Sequence, residues 1–227
     1  MNISVIIPAL NEAGNIHRLL DQIQRDIASD IIVVDNGSTD TTAVEARAAG
    51  AQVVSEPRRG YGYACAAGVA AATSAEILAF LDGDGSFDPA QLHDLITPLV
   101  EDRADLVLGT RMAGGLEAGS MPPQQLFGNK LVSRLMRLLY KVQITDLGPY
   151  RAIRRDLLAS LNMREMTFGW PTEMMVKAAR KQARIVEIPV SYRKRWSGKS
   201  KVSGTLRGTL LAGYYILGVT LRYAWAQ

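Results

Sequence analysis

Short runs rich in β-branched residues alternate with segments of helical period through the first half of the chain, and few folds accommodate that alternation. Ser4–Ile7, Ile31–Val34, Gln52–Val54, Ile77–Leu81 and Leu106–Gly109 read as strands. Glu12–Ala28, Thr41–Ala49, Gly62–Ala72 and Pro89–Val100 read as the helices between them. A helix between successive strands calls for right-handed crossovers and an α/β fold, with a mostly parallel central sheet covered on both faces. Ligands of such sheets sit at the carboxyl ends of the strands. With 227 residues, 48% of them hydrophobic and 21% charged, the chain can bury a full core as one domain. It has no internal repeat or low-complexity tract.

Three motifs fall at those strand ends. Pro8-Ala9-Leu10-Asn11-Glu12 follows the first strand, Asp35-Asn36-Gly37-Ser38-Thr39-Asp40 the second, and Asp82-Gly83-Asp84 the fourth. The buried run ILAFL delivers Asp82 and Asp84 onto a turn softened by Gly83 and Gly85. Two carboxylates one residue apart can address one hard cation such as Mg2+ or Mn2+. An isolated D-x-D is also an ordinary turn, so its weight comes from its companions. Asp35, directly after the IIVV strand, is poised to accept from an imide N–H, which uracil and guanine both offer. Ser38, Thr39 and Asp40 read instead as a turn and a cap for the next helix. Glu12 reads either as a nucleotide contact or as a first-turn acid favoured by the helix dipole. The segment EPRRGYGYA carries neither GxGxxG nor GxxxxGK[ST], which argues against dinucleotide and P-loop sites. Arg58 and Arg59 are solvated loop charges or face phosphates.

The net charge is +4, from 26 Lys and Arg against 22 Asp and Glu, and it is concentrated late in the chain. Arg193–Lys201, RKRWSGKSK, contains no acid. In Asn129–Val142, Lys130, Arg134, Arg137 and Lys141 recur on one helical face, with Leu131, Val132, Leu135, Leu138, Leu139 and Val142 on the other. The result is a basic amphipathic helix, packed on a core or lying at a membrane interface. Gly208–Leu221 is free of charge but shorter than the roughly 20 apolar residues that cross a bilayer. It is placed on or beside a membrane, against the domain, or against a second subunit. Cys65, the only cysteine, cannot form an intrachain disulfide or a zinc cluster and reads as a packed core thiol, which fits a reducing compartment. MNISVIIPA reads as a first strand and not as a signal peptide.

VIIPALNEAGNI, IIVVDNGSTD, ILAFLDGDGS, LVLGTR, TDLGPYRAI, TFGWPTEMMVKAA, VEIPVSYRKR and SGKSKVSGT, in that order, resemble the family 2 glycosyltransferases of the dolichol-phosphate mannose and glucose synthase group. The resemblance spans nearly the whole chain. It implies a GT-A (Rossmann-like) fold over residues 1–204 and a C-terminal amphipathic or hydrophobic helix over 205–227. It also implies a nucleotide-diphosphate sugar donor of GDP-mannose or UDP-glucose type, Mg2+ or Mn2+, and inverting hexose transfer to a polyprenyl or dolichyl phosphate. Pro8, Leu10, Glu12 and Asp35 would line the nucleotide, and Asp82 and Asp84 would hold the metal and diphosphate. Ser86 matches a position where relatives can carry a further metal-facing group. Arg111 would meet the acceptor phosphate. Asp146 matches the place of a proposed general base, although an ionised lipid phosphate is already nucleophilic and Asp146 can serve by orienting it. Arg195 and Lys201, with Gly198 and Ser200, match R-x-x-G-x-S-K, a loop that closes cations over phosphates. Trp196 is a membrane anchor or packs on the domain. The expected location is peripheral, on the cytoplasmic face of a membrane, with a membrane-anchoring partner or self-association as further options and no nucleic-acid partner. The alternatives are the same fold acting on a soluble acceptor, and a non-catalytic sugar-nucleotide-binding subunit of a membrane complex.

Overall fold

The structure, a computed structural model, describes residues 1–198 and 206–225. Its strands are β1 (Ile3–Ala9), β2 (Asp30–Asp35), β3 (Gln52–Ser55), β4 (Ile77–Phe80), β5 (Leu106–Thr110), β6 (Arg151–Arg154) and β7 (Ile185–Pro189). They form one sheet in the order β3-β2-β1-β4-β6-β5-β7. Only β6 runs against its neighbours, antiparallel to β4 and to β5. The helices are α1 (Ala13–Asp21), α2 (Thr42–Ala48), α3 (Tyr61–Ala71), α4 (Leu92–Val100), α5 (Pro123–Tyr140), α6 (Arg155–Leu161), α7 (Trp170–Arg180) and α8 (Leu206–Trp225).

The central strands lack polar alternation because both of their faces are covered. Val5 and Ile7 of β1, with Val33 of β2, enter one core with Ile16, Leu19 and Leu20 of α1 and Leu95 and Leu99 of α4. Ile6, Ile32 and Val34 point the other way, into a second core with Ala64 and Cys65 of α3 and with Met174 and Met175 of α7. Cys65 is thus a buried core thiol, as expected. The small residues of α3 allow close approach: a Cβ on Gly68 would stand 2.4 Å from Ile6 Cγ2.

The expected α/β architecture is present, with two local differences. The first helix ends at Asp21, not Ala28, because the Gln22 and Ile23 N–H groups turn back onto the Leu19 and Leu20 carbonyls. The chain then returns to the sheet, where the Ser29 N–H bonds the Ile3 carbonyl and sets β2 beside β1. The second difference is β6, whose four residues RAIR include two arginines and show no strand period.

The C-terminal α8 packs on α5 and α7. Tyr140 of α5 donates to the Thr220 carbonyl, and Tyr223 donates to Glu173 of α7 at 2.6 Å. Among the described residues, no helix is long and apolar enough to cross a membrane.

Candidate active site

Strand register brings the three N-terminal motifs to one edge. Ala9 pairs with Asp35, and Ile6 with Phe80, so Pro8, Leu10, Asp35 and Asp82 emerge at neighbouring carboxyl ends. Asn11 adopts φ +51°, in the left-handed region that asparagine tolerates. Its Oδ1 accepts the Thr39 N–H at 2.8 Å, while its own N–H donates to Ser38 Oγ at 3.0 Å. Asp40 accepts from the Ala13 N–H at 3.3 Å and the Thr42 N–H at 3.0 Å, so Ser38, Thr39 and Asp40 build the turn and cap as expected. Half-buried Asp35 commits one oxygen, Oδ1, to the Ser38 N–H at 2.9 Å. Glu12 is buried just before α1 and accepts from Asn15 Nδ2 at 2.6 Å. Arg58 is a solvated loop charge, hydrogen-bonded to Glu56 and lying over the Tyr63 ring.

Asp82 and Asp84 lie beyond β4 on a turn that needs Gly85, which has φ +72° and whose missing Cβ leaves room for the Trp196 ring. Asp84 accepts from the Ser86 N–H at 2.9 Å through Oδ1 and from Arg195 Nη2 at 2.6 Å through Oδ2. Asp82 accepts from the Tyr61 hydroxyl at 3.4 Å. Burial, reinforced by the charge of Asp84, pushes the Asp82 carboxyl up to about 7, and the Arg111 charge opposes that rise. Two crowded carboxylates of this kind favour a cation. No cluster of three or more acidic, histidine or cysteine side chains exists among the described residues. The oxygen-only pair therefore fits a hard divalent ion that completes its shell with phosphate oxygens and water.

The unexpected β6 explains how Asp146 reaches this edge. Because β6 is antiparallel, the segment entering it arrives where β5 leaves, and Asp146 meets Arg111. Arg111 Nε and Nη2 donate to Asp146 Oδ2 and Oδ1, each at 2.7 Å. The Arg111 and Leu147 N–H groups add further bonds of 2.7 Å to the same carboxylate. Asp146 is fully buried and Arg111 is 5% exposed. Burial alone would lower the arginine's pKa; the bonds to Asp146 outweigh it and raise it. This differs from an exposed arginine awaiting a phosphate and a carboxylate awaiting a proton: each side chain has spent its strongest contacts on the other.

Sequence reasoning missed the residues that hold this pair. Glu187 of β7 accepts the Thr145 and Asp146 N–H groups at 2.8 and 3.0 Å. Asn129 of α5 donates to the Thr145 carbonyl and accepts the Leu147 N–H. Arg151, wholly buried behind the site, donates to the Pro171 and Gly148 carbonyls, and burial lowers its pKa to about 10. Tyr61 had one available signal, its place in the glycine-rich segment entering α3.

The basic segment after β7 lies over the DGD turn. The Arg18 and Arg193 guanidinium carbons lie over the Trp196 ring, 4.3 and 5.4 Å from its centroid, and the half-buried ring packs against the core of the domain. Lys199, Ser200 and Lys201 lie outside the described residues. The basic helix is α5, and its faces differ from the expected split. Asn129, Val132, Ser133 and Met136 form the buried stripe, while Leu131, Leu138 and Leu139 stand exposed among Lys130, Arg134 and Arg137. The spacing of the buried stripe, three and four residues, turns those leucines away from the core.

The sequence pattern of Glycosyl transferase family 2 matches residues 4–161, which hold every strand and motif of the site up to Asp146 and β6. The chain belongs to this family. It is therefore a glycosyltransferase. An uncharacterized glycosyltransferase of Mycobacterium tuberculosis is 42% identical over 211 residues, covering 92% of this chain and 94% of that protein. The undecaprenyl-phosphate mannosyltransferase of Micrococcus luteus is 30% identical, covering 98% of this chain and 96% of its own. Glucosyl-3-phosphoglycerate synthase from M. tuberculosis, solved with Mn2+, UDP and phosphoglyceric acid, superposes with a TM-score of 0.79 at 25% identity. That superposition covers all of this chain and 79% of the synthase.

Proposed function

We propose that this glycosyltransferase moves a hexose, with inversion, from a nucleotide-diphosphate sugar to a polyprenyl phosphate at a membrane surface. Pro8 and Leu10 would pack on the nucleoside, and Asp35 would accept from the imide of its base through the oxygen not used by the Ser38 turn. Asp82 and Asp84 would hold Mg2+ or Mn2+ against the diphosphate, the ion supplying charge neutralisation to the departing group. Glu12 would act through Asn15 and Arg195 at the edge of the same site, and Lys201 belongs to the same expected phosphate-binding loop.

An ionised acceptor phosphate can attack the anomeric carbon without losing a proton, so the reaction needs no strong base. Asp146 then serves by holding Arg111, and the pair sets the charge and shape of the wall beside Asp82. Catalysis would rest on positioning and electrostatics.

The observation that carries the lipid acceptor is α5. It contains no acid, and it exposes Phe127 (70%) and Leu138 (66%) beside Lys130, Arg134 and Arg137. Its buried Asn129 reaches the Asp146 turn directly. Neighbouring α8 is also free of acids and exposes Leu210 and Tyr214. Apolar side chains with cations alone between them suit an anionic lipid surface, and the mannosyltransferase named for undecaprenyl phosphate agrees. The soluble-acceptor reading has support of its own, since the glucosyl-3-phosphoglycerate synthase shares the fold.

The test is a panel of GDP-mannose, UDP-glucose and other sugar nucleotides, each assayed with a short-chain polyprenyl phosphate and Mn2+ or Mg2+. A glycosyl-phosphoryl-polyprenol identified by mass for at least one donor is expected. No lipid product with any donor, alongside turnover of a soluble phosphate, would replace this reading with the second.

A further inference from the structure

Arg195 stands where its charge competes with a cation. Its Nη2 donates to Asp84 Oδ2 at 2.6 Å, and its Nη1 lies 3.8 Å from Glu12 Oε1. Asp84 is left with Oδ1, already accepting the Ser86 N–H. The contact belongs to a seated strap. Arg193 Nε donates to the Gly85 carbonyl at 3.2 Å, and Trp196 fills the space above Gly85. Ser197 Oγ donates to Asn15 Oδ1 at 2.9 Å, over the start of α1. The strap is thus pinned to both the DGD turn and the Glu12 corner.

We infer that Arg195 is an internal counter-cation of the Asp84 carboxylate, and that it makes divalent-metal binding depend on the donor diphosphate. This rests on the assignment of Asp82 and Asp84 to the metal made above. A divalent ion brought to Asp84 meets a guanidinium already within hydrogen-bonding distance, and the two like charges repel. A diphosphate removes the conflict. It offers oxygens that a guanidinium binds through paired, charge-assisted hydrogen bonds, so Arg195 exchanges a carboxylate for a phosphate while the ion takes Asp84. Metal and nucleotide then favour each other's binding, and by linkage the coupling is equal in both directions. Asp84 stays neutralised throughout, first by the strap and then by the ion.

The experiment measures Mn2+ binding by the electron paramagnetic resonance of the free ion, on full-length protein stripped with EDTA, without nucleotide and with UDP or GDP. Wild type should bind Mn2+ weakly alone and about tenfold or more tightly with the matching nucleoside diphosphate. Arg195→Ala, and Arg195→Gln as a second neutral variant, should tighten binding of Mn2+ alone by roughly tenfold and reduce its dependence on nucleotide. Arg195→Lys, which keeps the charge, should stay near wild type. Neutral variants that bind Mn2+ alone no better than wild type, while still binding it with nucleotide, would overturn the inference and leave the metal assignment standing. No Mn2+ binding by wild type even with nucleotide would overturn both.

Discussion

Arg111 and Asp146 form a closed pair: two side-chain bonds of 2.7 Å join them, and two backbone N–H groups fill the remaining acceptor positions of the carboxylate. With Asp146 fully buried and Arg111 nearly so, each charge depends on the other. Asp146→Asn should therefore lower stability as well as turnover, by roughly 3–5 kcal/mol, the usual cost of stranding one member of a buried ion pair. Arg111→Met combined with Asp146→Leu should lose less stability than either single change. Urea denaturation of wild type, Asp146→Asn, the two single changes and the double variant checks this. Full stability in Asp146→Asn would show that the pair is not closed in solution.

Asp82→Asn and Asp84→Asn should each remove most turnover while the domain remains folded, because no third acidic ligand can substitute for either carboxylate among the described residues. Circular dichroism and initial rates, with and without EDTA, decide it. Equal activity of either variant and wild type would contradict the assignment.

The raised Asp82 carboxyl gives a pH dependence of known sign. Its pKa near 7 in the folded chain exceeds the ordinary 3.8, so the folded state holds the extra proton between those values. In metal-free protein, stability contributed by this group should fall as pH rises through that window, and Asp82→Asn should flatten the slope. Mn2+ affinity measured with nucleotide should rise over the same range and level off above about 7. Calorimetry in buffers of different ionisation enthalpy should record proton release on metal binding below that pH.

The face of α5 should bind anionic lipid. Neutralising Lys130, Arg134, Arg137 and Lys141 together should weaken flotation with phosphatidylglycerol vesicles, each charge contributing roughly 1 kcal/mol where it meets headgroups. High salt should act in the same direction. Unchanged flotation would return this face to a solvated role or a subunit contact.

Glu173 ties α8 to the domain. Burial alone would raise its pKa, but Lys177, Tyr223 and the backbone N–H groups of Glu165 and Arg164 more than offset that and hold it below the usual range. Tyr223→Phe should cost roughly 1.5–3 kcal/mol, the worth of a hydrogen bond to a charged group. Hydrogen exchange should quicken first in α8.

The parallel half of the sheet was legible because β1, β2 and β4 are buried on both faces and α1 and α4 carry strong helical period. The DGD turn was legible through its companions: a D-x-D after a strand is by itself an ordinary turn, and it gained meaning from the motifs at the neighbouring strand ends. What lay hidden depended on contacts distant in sequence. Asp146 and Arg111 are 35 residues apart and meet through β6, a strand that RAIR does not announce. Glu187 and Asn129 are ordinary in their own segments and acquire a role only when β7 and α5 converge on the Asp146 turn. On α5 the sequence put the leucines together on one apolar face, packed on a core or at a membrane interface; the fold instead buries Asn129, Val132, Ser133 and Met136 and leaves Leu131, Leu138 and Leu139 exposed, because periodicity locates an apolar face without showing which face the fold covers.

The most direct test of the central claim is one comparison of initial rates with the preferred donor, using a polyprenyl phosphate in anionic vesicles and 3-phosphoglycerate in solution as acceptors. The lipid phosphate should be preferred in kcat/KM by at least about tenfold, with the preference reduced when the α5 cations are neutralised. Equal or greater kcat/KM for the soluble phosphate would contradict transfer to lipid.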